Sequence, residues 1–381
     1  MSQTSYITLS RSALKNNVEF IQNILGTTKF SSVVKGNAYG HGIKQFCPLI
    51  HELGVDHFSV FSADEAQKIN AILPHVSIQI MGFIHDNDLE WVIKNKVSFF
   101  VFESDRLNKA IQLAQKLKIK AKINIEIETG MNRTGFHVNE FDAVIKVALK
   151  AKKHIIIEGI CSHLAGAESI SNYKRVKSQI KTFSQIQHKV KENKQYHPKF
   201  HLACSAAILQ YPKTKFDLAR IGILQYGFFP SNEVLVQYIT KNSTDIDPLK
   251  RVITWKTIVM DTNTIEAGSF VGYGTSFFTN SKTKVALIPV GYSHGFSRSL
   301  SNQGKVLIRG KRLDVIGTVN MNMTAIDITE CPEIEKGDEV VLIGTQGDNS
   351  ISVASFSDFS NLLNYELLTR LPSGIKRKII A

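Results

Sequence analysis

The residue with the clearest capacity for chemistry is Lys35, which ends a short apolar run and opens a turn rich in glycine and asparagine. The segment reads Ser31-Ser-Val-Val-Lys35-Gly-Asn-Ala-Tyr39-Gly-His-Gly42. An amine at the end of a buried strand is partly desolvated, which lowers its pKa and frees the lone pair that a Schiff-base lysine needs. From these residues alone, the alternative is a solvated lysine that caps a strand at the surface.

Two later segments combine small residues with positions that favour an anion. In His201-Leu-Ala-Cys-Ser205-Ala-Ala, a serine hydroxyl begins a helical pattern, where free backbone N–H groups attract negative charge. In Arg220-Ile-Gly222-Ile223, the glycine lets backbone amides approach a ligand closely. Both segments predict phosphate contacts, with a plain helix cap and a plain turn as the respective alternatives.

Two more segments place polar side chains after candidate strands. Ser162-His163-Leu-Ala offers an imidazole whose face could stack on an aromatic cofactor, and a buried, hydrogen-bonded histidine is the alternative. Glu128-Thr-Gly-Met-Asn-Arg133-Thr-Gly offers a guanidinium for an anionic substrate group, and a surface arginine is the alternative.

The elements that must position these residues alternate between short β-branched runs and longer helical patterns. Helix starts are indicated by a capping box at Ser62-Ala-Asp-Glu65 and by first-turn acids after Asn139. Eight such units predict a (β/α)8 TIM-like barrel, with a doubly wound open sheet as the alternative. The candidate strands are Ser32 to Lys35, His57 to Phe61, Ser77 to Met81, Ser98 to Phe102, Lys122 to Ile127, Ile155 to Cys161, Lys199 to Ala203 and Leu218 to Ile221.

After Pro230 the pattern changes to short strands separated by Gly, Asn, Asp and Lys turns, with helical periodicity only over Val353 to Leu371. This texture predicts a mostly β domain. We therefore expect a barrel over residues 1–235, whose first few residues can pack with the second domain, and a C-terminal β domain over residues 236–381. In such barrels reactive groups lie at the carboxyl ends of the strands, and phosphate often binds after strands 7 and 8.

Composition excludes several classes of protein. The 381 residues carry 46 Lys and Arg against 33 Asp and Glu, a net charge of +13. The basic residues are scattered along helical patterns without a nucleic-acid-binding motif, so no nucleic-acid partner is expected. The four cysteines are far apart, which favours free thiols in a reducing compartment over disulfides or a metal site. No apolar run reaches the roughly 18 residues of a membrane span, so we expect a cytoplasmic protein.

Taken together, the motifs resemble those of the alanine racemase family over nearly the whole chain. Besides the five segments above, the resemblance rests on Gly272-Tyr273-Gly-Thr-Ser-Phe and Asn364-Tyr365-Glu-Leu-Leu-Thr-Arg-Leu-Pro, in the family's order. It implies a fold-type III enzyme that uses pyridoxal 5'-phosphate and works as a homodimer with shared active sites.

The resemblance assigns a role to each motif. Lys35 matches the Schiff-base lysine, which also moves the substrate Cα proton on the D side. Tyr273 matches the opposing tyrosine, which acts on the L side from the partner subunit. Two acid/base groups on opposite faces of one carbanion are what racemisation requires. Arg220 matches the arginine facing the pyridine nitrogen; because a guanidinium cannot accept a proton, that nitrogen stays unprotonated.

The remaining correspondences concern binding. His163 matches the histidine under the cofactor ring, and Arg133 and Met321 match residues at the substrate carboxylate. Tyr292 and Arg298 match an outer gate. The family's phosphate contacts correspond to Tyr39, Ser205, Gly222, Ile223 and Tyr365.

Several positions depart from the family pattern. Glu126 stands where some members carry a carbamylated lysine, and we expect its carboxylate to orient Arg133 directly. Asn320-Met-Asn-Met323 lacks the usual acid and amide, and Cys204 replaces a common asparagine. These changes bear on substrate range more than on reaction type.

The sequence therefore predicts interconversion of L- and D-alanine by a two-base mechanism, supplying D-alanine for peptidoglycan. A racemase of serine or of a broader set of amino acids is the main alternative. A decarboxylase is disfavoured by Arg220, and a non-enzymatic pyridoxal-phosphate-binding protein by the region after Pro230.

Overall fold

The computed structural model describes residues 4–193, 195–353 and 364–381, without the side chains of Asn364 and Tyr365. The chain divides into two compact units. One, the barrel unit, comprises Ala13–Lys35 and Cys47–Lys250. The other, the β unit, comprises the residues up to Ser12, Gly36–Phe46 and the chain from Arg251 onward. No helix in the described ranges is both long enough and apolar enough to cross a membrane.

The barrel unit contains eight parallel strands, numbered here as barrel strands 1 to 8, paired in the order 7-6-5-4-3-2-1-8. Strands 7 and 8 close the barrel where Arg220 N donates to Ala203 O at 3.0 Å, beside a bridge between Cys204 and Arg220. This closure confirms the (β/α)8 prediction over the open-sheet alternative. The strands are Lys29–Val33, His57–Val60, Ser77–Ile80, Ser98–Val101, Ala121–Glu126, Ile155–Cys161, Lys199–His201 and Leu218–Ile221.

The longer helices beside the strands bury apolar side chains at helical spacing. The longest, Tyr173–Glu192, buries Val176, Phe183, Ile186 and Val190 at helical spacing, while its lysines remain solvated. The other helices around the strands are Arg11–Leu25, Ile43–His51, Ala63–Ile72, Asp86–Lys94, Ser104–Leu117, Phe141–Lys150, Ser205–Gln210 and Asn232–Asn242.

Two local predictions are wrong. Barrel strand 1 begins three residues earlier than expected and ends at Val33, so Lys35 lies beyond the strand instead of ending it. The capping box at Ser62 is also absent: the Ser62 hydroxyl bonds to Asp64, and Glu65 Oε2 accepts from Phe61 N at 3.0 Å. The acid therefore reaches one residue further back than a capping box does, because Glu65 faces inward and is buried.

The β unit is built on one mixed sheet that is mostly antiparallel. Its one parallel pairing on the described path joins Ser5–Ser10 to Lys376–Ile380. The sheet order is Asp261–Ile265, Thr283–Ile288, Thr324–Asp327, Lys311–Ile316, Lys305–Ile308, Glu339–Gln346, Ile253–Ile258, Ser5–Ser10 and Lys376–Ile380, with Asn349–Ile351 paired to Glu339–Gln346. The helical pattern expected from Val353 to Leu371 is described only from residue 364, where the helix Asn364–Arg370 begins.

The segment after Lys35 belongs to the β unit and has an unusual backbone. Gly36, Asn37 and Ala38 have φ of 63°, 54° and 55° with ψ near 50°, and Tyr39 has φ 49°. Four consecutive residues thus form a left-handed turn, closed by Gly40 N donating to Gly36 O at 3.0 Å. Each non-glycine residue in this conformation costs roughly 1–2 kcal/mol, so surrounding contacts must hold it.

Arg377 supplies such contacts. Its Nε and Nη2 donate to Gly40 O at 2.9 and 2.7 Å. At Gly40 itself a side chain is excluded, because a Cβ there would overlap the carbonyl oxygen of Leu368.

Candidate active site

Lys35 lies at the carboxyl end of barrel strand 1. Val34 N still donates to Ser59 O of strand 2 at 2.9 Å, which fixes the backbone just before the lysine. The side chain is exposed. Even so, its pKa is lowered, first by loss of solvation from surrounding protein atoms and then by the positive charges of Arg133 and Arg220. A lowered pKa increases the neutral, nucleophilic fraction of the amine.

Arg220 is buried in the barrel interior and is fixed by its two terminal nitrogens. Nη1 donates to His201 Nδ1 at 2.5 Å and to His201 O at 2.9 Å, and Nη2 donates to Ser162 O at 2.6 Å. Its Nε donates to none of the described residues. The guanidinium also lies over the Phe100 ring, so its plane is set from two sides.

His201 links Arg220 to strand 5. Its Nε2 lies 3.1 Å from Asn124 Oδ1, which can only accept, so Nε2 carries the proton and Nδ1 accepts from Arg220. Burial and the nearby Arg220 charge hold the pKa of His201 well below its usual range. The imidazole is therefore neutral and acts as a fixed spacer between arginine and asparagine.

The two candidate phosphate segments meet directly. Gly222 N donates to Ser205 Oγ at 3.0 Å, and both Ser205 and Ile223 are buried. Cys204, not Ser205, is the N-cap residue of Ser205–Gln210, so the plain-cap alternative for Ser205 does not apply. Ile223 opens a short 3-10 helix after Gly222.

His163 follows barrel strand 6 and is partly exposed at the same mouth. Burial, together with the charges of Arg220, Arg133 and Lys35, lowers its pKa to about 3, so the ring is neutral. Buried Gln179 fixes its backbone, because Nε2 donates to His163 O at 2.9 Å and Oε1 accepts from Ala165 N at 2.8 Å. A neutral ring on a fixed backbone can present its face to an aromatic group.

Arg133 is exposed in the loop after barrel strand 5. Its backbone N–H donates to Glu128 Oε2 at 3.3 Å, and the other Glu128 oxygen accepts from Gly130 N. One carboxylate thus holds both ends of the turn that presents the guanidinium.

The expected direct contact between Glu126 and Arg133 is absent: no hydrogen bond or ion pair joins them in the described part of the chain. Glu126 is buried, and burial raises its pKa despite the nearby charges of Arg220 and Arg133. Its Oε2 has no hydrogen-bond partner among the described atoms. Glu126 therefore lies within electrostatic range of Arg133 without a direct contact to it.

The β unit presents a separate group of the expected residues, all of them exposed. Tyr273 is 74 % exposed between two glycines with positive φ, and its carbonyl accepts from Thr318 Oγ1 at 3.3 Å. Tyr292 N donates to Asn320 O at 3.0 Å, which places Tyr292 beside the Met321 loop. Arg298 is exposed on a short 3-10 helix.

The other two expected contacts lie elsewhere in the β unit. Tyr39 ends the left-handed turn after Lys35 and is partly exposed. Tyr365 lies in the first turn of Asn364–Arg370, but its side chain is outside the described residues.

Within the barrel unit, the fold gathers Lys35, Arg133, His163 and Arg220 within mutual electrostatic range. Sequence reasoning missed the residues that support them, namely Asn124, His201 as a hydrogen-bond partner, Gln179 and Glu65. For His201 the signal was its place in the Ser205 motif. Nothing in the lysine-rich Tyr173–Glu192 segment distinguishes Gln179. The described residues contain no cluster of metal-binding side chains.

These features define a class of protein, namely a (β/α)8 barrel joined in sequence to a β unit. At the carboxyl ends of its strands the barrel carries a lysine with a lowered pKa, an arginine fixed by hydrogen bonds, and two joined segments suited to an anion. The family models for the alanine racemase N-terminal and C-terminal domains match residues 9–230 and 252–379. The chain belongs to the alanine racemase family.

Individual relatives agree with this assignment. The alanine racemase of Leptospira interrogans is 32 % identical over 384 aligned residues, covering 99 % of this chain and 96 % of the relative. Among solved structures, alanine racemase of Clostridium difficile 630 has a TM-score of 0.90 at 27 % identity, covering 100 % of this chain and 96 % of that one. Alanine racemase from Bartonella henselae, solved with covalently bound pyridoxal phosphate, has a TM-score of 0.84 at 29 % identity, and each chain is fully covered.

Proposed function

We propose that the protein interconverts L- and D-alanine with pyridoxal 5'-phosphate as its cofactor. The observation that carries the proposal is the lowered pKa of Lys35 at the mouth of the barrel, in a chain that matches both domains of the alanine racemase family. Family membership supports the reaction, and the geometry of the barrel mouth supports the cofactor.

The residues present fit pyridoxal phosphate. Lys35 supplies an amine for covalent attachment, and the joined Ser205 and Gly222 segments offer buried polar atoms for a phosphate. Arg220 keeps Nε without a protein partner while its other nitrogens are fixed, which suits a donor aimed at a ring nitrogen. Neutral His163 suits the face of the ring. Ile223, Tyr39 and Tyr365 complete the proposed phosphate contacts.

Bound pyridoxal phosphate withdraws electrons from the substrate Cα and so makes its proton removable. The protein's own groups then move that proton: Lys35 serves the D face and Tyr273 the L face. Arg220 cannot accept a proton, so it limits the electron withdrawal and disfavours side reactions.

Three further residues are proposed at the substrate carboxylate and its surroundings. Arg133 contributes its guanidinium, and Met321 its backbone N–H, which donates to none of the described residues. Glu126 lies within electrostatic range of Arg133 and is proposed to support it. Tyr292 and Arg298 form the proposed outer gate, consistent with their exposure.

We further propose a homodimer in which Tyr273 enters the site of the partner subunit. Tyr273, Tyr292 and Met321 are large side chains that remain 74 %, 42 % and 56 % exposed in a single chain. A cluster of exposed aromatic and thioether side chains is typical of a protein interface. Each active site would then combine Lys35 of one chain with Tyr273 of the other.

A mixing experiment tests this arrangement. Lys35→Ala and Tyr273→Phe chains should each be inactive alone, but co-refolded mixed dimers contain one intact site. About a quarter of wild-type activity is expected, because half of randomly paired dimers are mixed and each has one working site of two. Activity that stays at the level of the single variants would show that Tyr273 does not act across chains.

The reaction itself is tested by incubating the protein with L-alanine in D₂O and following Cα deuteration by chiral analysis. Exchange should be accompanied by equal formation of D-alanine, and borohydride should fix the cofactor mass on the Lys35 peptide. Faster exchange with serine or lysine would reassign the substrate, and absence of a visible cofactor band would contradict the proposal.

The proposed role is supply of D-alanine for peptidoglycan in the cytoplasm.

A further inference from the structure

Glu65 is a buried carboxylate near the reactive amine that has no role in the chemistry described above. It lies in the first turn of Ala63–Ile72, the helix that follows barrel strand 2, and is 8 % exposed. Lys, Glu, Arg and Asp are rarely buried without a specific reason. Its inward orientation also replaces the capping geometry that its sequence position favours.

Glu65 and Lys35 follow the carboxyl ends of two neighbouring strands. Ser32 and Val33 of strand 1 pair with Phe58 and Ser59 of strand 2, and Val34 N donates to Ser59 O at 2.9 Å just before Lys35. Glu65 Oε2 accepts from the backbone N–H of Phe61 at 3.0 Å. The carboxylate is therefore held at the carboxyl end of strand 2, the strand that pairs with the one leading to Lys35.

Lys35 has three charged neighbours. Burial and the charge of one of them, Glu65, also raise the pKa of the Cys47 thiol. Arg133 from the loop after strand 5 and Arg220 from strand 8 lower the pKa of Lys35, whereas Glu65 raises it. His163 after strand 6 is neutral. No ion pair within 4.0 Å joins Glu65 to Lys35 among the described residues, so the carboxylate acts through space.

We propose that Glu65 is a positioning residue that sets the proton occupancy of Lys35. The inference rests on the proposed function, because a two-base racemase needs a lysine that alternately holds and releases a proton. Desolvation and two guanidiniums drive the amine toward its neutral form, and Glu65 offsets this so that the amine can also carry a proton back to Cα.

The test reads Lys35 directly in the full-length protein after removal of the cofactor. The rate of Lys35 acetylation is followed against pH by peptide mass spectrometry, and the midpoint reports the protonation of the amine. Glu65→Gln keeps an acceptor for Phe61 N but removes the charge, so the midpoint should fall by about one pH unit.

Two controls separate charge from shape. Glu103 also accepts a backbone N–H, from Arg106 at 2.8 Å, but at the end of strand 4; Glu103→Gln should leave the Lys35 midpoint unchanged. Glu65→Asp and Glu65→Asn form a second pair, whose side chains have equal length but differ in charge. The Asp variant should have the higher midpoint of Lys35 acetylation.

Equal midpoints for wild type and a folded Glu65→Gln variant would overturn the inference, as would equal midpoints for the Asp and Asn variants. If Glu65→Gln does not fold, the Asp and Asn pair decides. Failure of the proposed function can be told apart from failure of this inference. It would appear as a missing visible cofactor band in the wild type, whereas the titration of Lys35 could still be measured.

Discussion

At the scale of single residues, the site depends on side chains that fix other side chains. Arg220 is the clearest case, since His201 and two carbonyl groups occupy both of its terminal nitrogens. His201 in turn is fixed by Asn124. This chain of contacts settles the orientation of the guanidinium before any ligand binds, which lowers the entropic cost of binding.

Removing His201 should therefore loosen the cofactor. In His201→Leu, Arg220 loses a charged hydrogen bond worth about 1.5–3 kcal/mol, and the Kd for pyridoxal phosphate should rise about tenfold or more. The visible absorbance during cofactor titration measures this Kd. His57→Leu is the matched control, because His57 is buried in the same barrel and bonds to Ser31 instead of Arg220. Equal Kd values for both variants would contradict the role of His201.

Glu126 gives a second residue-scale prediction, changed by the structure. Because no hydrogen bond or ion pair joins Glu126 to Arg133 among the described residues, Glu126→Gln, which keeps the shape of the side chain, should leave KM for alanine within about twofold of wild type. Glu126→Ala leaves a cavity at this buried position and should raise KM severalfold with less change in kcat. A large increase of KM in Glu126→Gln would contradict this prediction and would support a direct, charge-dependent interaction between Glu126 and Arg133.

At the scale of elements, the left-handed turn after Lys35 is the most constrained segment. Its backbone lies in a region that alanine and tyrosine rarely adopt. The turn persists because Arg377 binds Gly40 O, and because Gly40 has no side chain.

Gly40→Ala should consequently be severely destabilising. Its Cβ would overlap the backbone carbonyl of Leu368, which cannot move as a flexible side chain would, and a loss of more than about 4 kcal/mol is expected. Gly26→Ala is the control, since Gly26 has a similar φ of +59° but no atom within 4 Å of the added Cβ. Gly26→Ala should lower the free energy of unfolding by only about 1 kcal/mol. Denaturant unfolding measures both variants, and equal losses would show that the positive φ alone, and not the overlap with Leu368, determines the cost.

The elements also show what sequence can predict. The barrel was predictable because strand and helix periods are local properties of the chain. The left-handed turn was not, because only distant contacts to Arg377 outweigh the local preferences of Ala38 and Tyr39. The chain from Asn124 through His201 to Arg220 depends on register between strands far apart in sequence. Gln179 is buried in a helix whose composition indicates solvent.

At the scale of the whole molecule, buried neutral histidines link the fold to pH. Burial lowers the pKa of His41, His57 and His163 to about 3, against about 6.5 in the unfolded chain. Between these values the unfolded state binds protons that the folded state does not. The stability that these histidines contribute is thus fully present above about pH 6.5 and is lost as the pH decreases toward 3.

Unfolding of the cofactor-free protein by guanidinium chloride at pH 7.5, 6.5, 5.5 and 4.5 measures this effect. The free energy of unfolding should fall by up to about 1.4 kcal/mol per pH unit for each histidine. His57→Gln removes one of these groups and should make the slope shallower by up to that amount. An unchanged slope in His57→Gln would show that His57 is not responsible.

The contact between Gly40 and Arg377 also dictates an order of events during synthesis. The left-handed turn follows Lys35 near the start of the chain, yet the side chain that binds it lies 337 positions later. A ribosome-bound chain shorter than 377 residues lacks that guanidinium, and the local preferences of the turn oppose its formation. The backbone beside Lys35 is therefore completed only after Arg377 has been synthesised, and we expect loading with pyridoxal phosphate to follow that step.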